Sequence, residues 1–105
     1  MSSELEKIKE IVTPIFKANN IEFAGVFGSF ARGEQKADSD VDILVKFAGS
    51  PTFAGYFKVN EAVKEALGRE VDLITIGAVN KYLKPQIDKD LQVIYGQRPN
   101  LLGRN

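Results

Sequence analysis

The chain has 105 residues, 44% of them apolar and 27% charged, the composition of one globular domain with a single modest core. Fourteen basic residues balance fourteen acidic ones, so there is no surplus of positive charge for bulk capture of nucleic acid. Cysteine and histidine are both absent. That excludes disulfides, thiolate and imidazole metal sites and histidine-dependent triads, and leaves chemistry to carboxylates, hydroxyls, lysine, arginine and a metal ion.

Ser3-Glu4-Leu5-Glu6 has the form of a capping box. Leu5, Ile8, Ile11, Val12, Ile15 and Phe16 follow at helical spacing and predict an amphipathic first helix, which Pro14 should kink or divide and Asn19-Asn20 should end. Residues 21–27 read as a first strand, 29–33 as a short helical turn, 34–39 as a polar connection and 40–47 as a second strand. Ser50 is a plausible N-cap with Pro51 at the first helical position. Phe53, Phe57, Val63, Ala66 and Leu67 give the next helix an apolar stripe, and Gly68 is its stop. A third strand is expected over 71–76, a helix interrupted at Pro85 over 79–88, and a short fourth strand over 91–95. Residues 97–105 read as a loosely held tail of a single domain spanning 1–105. No repeat, signal peptide or long apolar run is present, so a soluble, intracellular (cytoplasmic) protein without membrane contact is expected.

One stretch stands apart. An apolar run ends at Gly28-Ser29, crosses a polar loop, and re-enters an apolar run at Asp40-Val41-Asp42. A strand ending at Gly28-Ser29 and turning into a helix can aim backbone N–H groups and a hydroxyl at an anion. Asp40 and Asp42, two apart on a strand, project to one face about 6 to 7 Å apart. Two carboxylates on a largely buried strand repel each other and lose hydration. A hard divalent cation such as Mg2+, sharing its shell with phosphate, relieves both. A phosphate corner beside a carboxylate pair therefore reads as a metal–nucleotide site.

Two superficial matches fail. Asp38-x-Asp40-x-Asp42 begins like a calcium loop, but Ile43 stands at the sixth position and Gly49 at the twelfth. Gly28 and Gly33 have P-loop spacing, but Glu34-Gln35 stands where Lys and Ser/Thr belong.

Gly-Ser, ten residues, then Asp-x-Asp is the signature that these residues carry. In this the chain resembles the nucleotidyltransferase superfamily that includes DNA polymerase beta, and within it the minimal nucleotidyltransferases, the MntA-type antitoxins of HEPN/MNT toxin–antitoxin systems. The resemblance covers nearly the whole chain. It implies an α/β fold, a small mixed sheet flanked by helices. It also implies a third carboxylate on a neighbouring strand, placed at Asp72, as general base and ligand to the metal nearest the attacking hydroxyl. The other reading of Asp72 is a surface-facing residue on an edge strand.

Asp40, Asp42 and Asp72 would then hold two Mg2+ ions, and one of the three should have a raised folded-state pKa. Gly28 would let phosphates approach, and Ser29 would donate to the beta or gamma phosphate or simply cap the helix. Arg32 is open between a phosphate contact and a pairing with a nearby carboxylate. Asp38 is read as turn chemistry. The implied activity is transfer of AMP from ATP to a hydroxyl, a tyrosine of a HEPN-type ribonuclease toxin, which silences it. With little beyond a catalytic core, the acceptor should be a macromolecule with its own binding surface, and a homo- or hetero-oligomer is possible. The rivals are an antitoxin that blocks its toxin by binding alone and a small-molecule nucleotidyltransferase.

Overall fold

The structure, a computed structural model, describes residues 2–103. Its elements are α1 (Ser3–Ala18), β1 (Ile21–Phe27), α2 (Ser29–Arg32), β2 (Val41–Phe47), α3 (Phe53–Leu67), β3 (Val71–Thr75), a 3-10 turn (Ile76–Ala78), α4 (Lys84–Asp90) and β4 (Gln92–Gly96). The four strands form one mixed sheet in the order β3-β2-β1-β4. β1 runs antiparallel to both β2 and β4, whereas β2 and β3 are parallel. Parallel neighbours need a crossover, and α3 supplies it. This is the small mixed α/β sheet with flanking helices that the sequence implied. Among the described residues no helix is long and apolar enough to cross a membrane.

Each face of the sheet has its own apolar cluster. The larger joins Leu5, Ile8, Val12 and Phe16 of α1 and Val59 and Val63 of α3 to Ile21, Ala24, Val26, Val41, Ile43, Val45 and Leu73. The smaller lies on the other face and joins Phe23, Leu44, Ile87, Leu91 and Leu101. Strand periodicity explains the split along β2, where Val41, Ile43 and Val45 point one way and Asp42 and Leu44 the other. In β1 a register shift between Ile21 and Phe23 exchanges the two faces, so that Phe23 joins the smaller cluster and Ala24 the larger.

Several local expectations are corrected. Ser2, not Ser3, caps α1: its Oγ accepts from the Leu5 N–H at 3.2 Å, so no Ser3–Glu6 capping box forms. Pro14 lies inside an unbroken α1. Its ring faces solvent, while Val12 and Phe16 on either side are completely buried. A proline costs about 3 kcal/mol within a helix, and burying two large apolar side chains offsets a cost of that size. α3 begins later than expected, with Thr52 as its N-cap, accepting from the Gly55 N–H at 2.9 Å. Phe53 and Phe57 are not core residues. They stack on each other at 6.5 Å, 83% and 51% exposed, and Val59 and Val63 face the core instead.

Residues 79–83 are not helical, and Pro85 stands in the first turn of α4, where a missing N–H is harmless. The tail is held rather than loose. Leu101 is buried, and the Arg98 guanidinium donates to the backbone carbonyls of Leu91 and Asp88. Residues 104 and 105 of that expected tail lie outside the described residues.

The packing predicts a sharp contrast between two phenylalanines. Phe16→Ala should destabilise the protein by about 3–5 kcal/mol, whereas Phe53→Ala should change stability by less than about 0.5 kcal/mol. Urea unfolding of both variants checks this.

Candidate active site

Gly28 is the N-cap of α2, with φ 74° and ψ −153°, a backbone conformation that side chains oppose. Phe27 and Asp42 are partners across the β1–β2 pair, so the next residue, Gly28, abuts the Asp42 side chain. A Cβ built on Gly28 would overlap the Asp42 carboxylate. The turn is closed by N–H groups of Ala31 and Arg32, which donate to the Gly28 carbonyl at 3.1 and 3.2 Å. The Glu34 N–H donates to the Ser29 carbonyl at 2.9 Å. No side chain caps α2, so Ser29 is not a helix cap. Its hydroxyl stands on the first turn, where backbone N–H groups lack helical acceptors.

The parallel pairing sets Asp42 directly opposite Asp72. Both leave the sheet on the face of the smaller apolar cluster, at the end where β2 and β3 begin. Asp40 precedes β2 by one residue. Burial first, and then the carboxylates of Asp72 and Asp40, raise the Asp42 carboxyl pKa above its ordinary value, while the Arg32 guanidinium opposes the shift. Ionisation of Asp42 is thus penalised in the folded state. Among the described residues no three acidic side chains are drawn together into a ready-made cation cage. The donor chemistry nonetheless suits a hard cation, because oxygen ligands that repel one another are what such an ion neutralises. Asp38 is an exposed turn residue beside Ser39, whose Oγ accepts from the Lys36 N–H at 2.7 Å.

Arg32 is held by carboxylates. Its Nε donates to Glu34 at 3.0 Å and its Nη1 to Asp90 at 2.7 Å. The Asp90 side chain is 9% exposed, and the Gln86 amide donates to its second oxygen at 3.1 Å. Sequence reading missed Asp90 and Gln86, which sit on α4. Nothing near Arg32 in the chain signals a partner 58 residues away.

Residues 6–100 match the family described as polymerase beta, nucleotidyltransferase. The chain belongs to that family. This nucleotidyltransferase is 43% identical over 74 residues to protein adenylyltransferase MntA of Thermococcus cleftensis, covering 67% of this chain and 75% of the relative. A candidate protein adenylyltransferase of Methanocaldococcus jannaschii is 40% identical over 88 residues, 83% of this chain and 87% of that one. Among solved structures, a toxin–antitoxin crystal structure with AMP-PNP aligns with a TM-score of 0.74 at 22% identity, over 86% of this chain and 74% of that one. A candidate minimal nucleotidyltransferase aligns with the same TM-score, 0.74, at 29% identity, over 85% and 91% of the two chains.

Two stability predictions follow from the contacts of Asp42. Its raised folded pKa penalises the ionised folded state. The penalty is absent below the unfolded pKa and grows as pH rises through the folded value. Asp42→Asn should therefore stabilise the metal-free protein near neutral pH, by less than about 1 kcal/mol after solvent screening. The gain should vanish at about pH 3, as thermal melts across pH would show. Gly28→Ala should cost about 1–3 kcal/mol, because a side chain there adds backbone strain and displaces the Asp42 carboxylate. Its denaturation midpoint should fall further than that of Gly33→Ala, since Gly33 is in the αL region, which other residues enter at lower cost, and has open space around it.

Proposed function

We propose that this nucleotidyltransferase is a metal-dependent protein adenylyltransferase that transfers AMP from ATP to a tyrosine hydroxyl of a HEPN-type ribonuclease toxin and so acts as its antitoxin. The observation that carries the reading is the in-register pair Asp42–Asp72 beside a glycine turn, where the Asp42 carboxylate lies in the space a side chain on Gly28 would take. Support comes from the relative named protein adenylyltransferase MntA and from solved structures of like fold. One of these is described as a tri-AMPylated Shewanella oneidensis HEPN toxin in complex with MNT antitoxin, with a TM-score of 0.69.

In this reading Gly28 admits the triphosphate close to the backbone, and Ser29 donates its hydroxyl or N–H to the beta or gamma phosphate. Asp72 accepts the proton of the attacking hydroxyl. The acceptor oxygen bonds to the alpha phosphorus as the bond to pyrophosphate breaks, so AMP is transferred and pyrophosphate leaves. Asp40, Asp42 and Asp72 would hold Mg2+, two ions when full, which supplies charge neutralisation on the attacking and leaving oxygens. Arg32 steadies the turn through Glu34 and Asp90. The work is done in the cytoplasm, where ATP is supplied, and needs no nucleic acid contact.

Asp40→Asn and Asp42→Asn should each fold and lower transfer by at least about 100-fold, a magnitude usual for a removed electrostatic contact at a reacting centre. Intact-mass spectrometry of the toxin after incubation with Mg-ATP should show gains in steps of one AMP with the wild type only. Toxin inhibition with no mass change would instead establish neutralisation by binding. Transfer to free small alcohols at comparable rates would establish a small-molecule enzyme.

A further inference from the structure

The two arms of the site, the Gly28-Ser29 turn and the strand start bearing Asp40 and Asp42, are joined by α2 and then a loop, 33–40, that lacks helix and strand. Arg69 bridges them from outside the motif. It stands between Gly68, the left-handed stop of α3, and Val71, the first residue of β3. Its Nη1 donates to the Ser39 backbone carbonyl at 2.9 Å, and its guanidinium carbon lies 5.0 Å from the centroid of the Phe30 ring. Phe30 follows Ser29 in the chain and is 4% exposed, so the ring is a fixed platform. Ser39 precedes Asp40. One residue beyond Arg69, the Glu70 carbonyl accepts the Val41 N–H at 3.0 Å, which starts the β2–β3 pairing that sets Asp42 against Asp72.

The chemistry suits arginine. A planar guanidinium lays its face on an aromatic ring while its edge donates N–H groups, and a lysine ammonium on a flexible stem does not combine the two. One side chain therefore touches the residue after Ser29 and the residue before Asp40, and its chain neighbours lead into Asp72.

We propose that Arg69 is a positioning residue of the transfer reaction: it fixes the Gly28-Ser29 turn relative to Asp40 and thereby sets the grip of the site on a divalent cation with its nucleotide. The inference rests on the functional reading above. Arg69 acts through Phe30 and Ser39, and its removal loosens the loop without emptying the core.

The test compares full-length wild type, Arg69→Met, Arg69→Lys and Phe30→Leu by three measurements. Amide hydrogen exchange of the metal-free proteins reads local order. Water-proton relaxation reads binding of Mn2+ with a non-hydrolysable ATP analogue. Transfer assays separate kcat from KM. Arg69→Met should raise exchange across residues 34–40 at least about tenfold while leaving α1 and β1 unchanged, a local opening of the kind a missing tether produces. Its affinity for Mn2+ with nucleotide and its kcat should each fall at least about fivefold, and Arg69→Lys should recover less than about half of that loss.

Wild-type exchange over 34–40 in Arg69→Met, or wild-type metal–nucleotide affinity there, would overturn the inference. So would a rise in exchange spread evenly over the whole chain, which marks general destabilisation. Should Arg69→Met fail to fold, Phe30→Leu decides, since it removes the platform but keeps the guanidinium: unchanged exchange over 34–40 there overturns the inference. Wild type that binds no Mn2+ with nucleotide overturns the functional reading. Wild-type binding that Arg69→Met leaves intact overturns the positioning role alone.

Discussion

The Asp42 carboxylate lies against the bare backbone of Gly28, on a strand whose register sets it opposite Asp72, an exposed residue of the edge strand β3, and the two strand pairings hold it there. Antiparallel pairing with β1 places Phe27 opposite Asp42 and so brings the glycine turn against it. Parallel pairing with β3 places Asp72 opposite it. The second pairing requires a crossover, and α3 can cross only if its own apolar face is buried, which α1 and the larger cluster provide. Glycine takes the Gly28 conformation without strain, whereas desolvation of the Asp42 carboxylate and the like charges of Asp72 and Asp40 disfavour the fold. The completely buried Val12, Phe16, Ile43, Val59 and Val63 supply the apolar stabilisation that tolerates them.

The arginines are placed so that they do not cancel this charge. Arg32 is near enough for its field to oppose the rise in the Asp42 pKa, yet its Nε and Nη1 donate to Glu34 and Asp90 instead. An arginine bound directly to Asp42 would satisfy the carboxylate and remove the repulsion within the trio. Fastening Arg32 to an acid on α4 keeps the trio negative. The same ion pair ties the turn to the element that covers the smaller cluster, so charge and packing at this end of the sheet are adjusted together.

Much of this was readable in the sequence because it is written locally. Ile21–Phe27 is bounded by Asn19-Asn20 and Gly28-Ser29, and its bounds were read to the residue. The Gly28-Ser29 and Asp40-x-Asp42 spacing carried both fold and family. α3 was misread at its start because Pro51 is a good first helical residue, whereas the Thr52 side chain makes the cap. Phe53 and Phe57 fit a helical stripe, but periodicity shows only that a face exists, and the sheet took the face bearing Val59 and Val63. The tail looked loose because composition cannot reveal a distant partner, and Leu101 finds Phe23 and Leu44 in the middle of the sheet. Asp72 was predictable as a third acid, but its direct alignment with Asp42 is a matter of strand register, which no single segment encodes.

The strand order also fixes when the site can be finished. β4, the last strand, lies beside β1, the first, and Arg32 meets Asp90 just ahead of β4. During synthesis, which delivers the N-terminal end first, every acid of the trio emerges well before the residues that close the sheet edge and clamp the turn. A nascent chain ending near residue 75 would carry all three aspartates with neither clamp nor closing strand. Assembly is therefore gated by the final quarter of the chain, and the repelling carboxylates come under full constraint only once the surrounding sheet is complete.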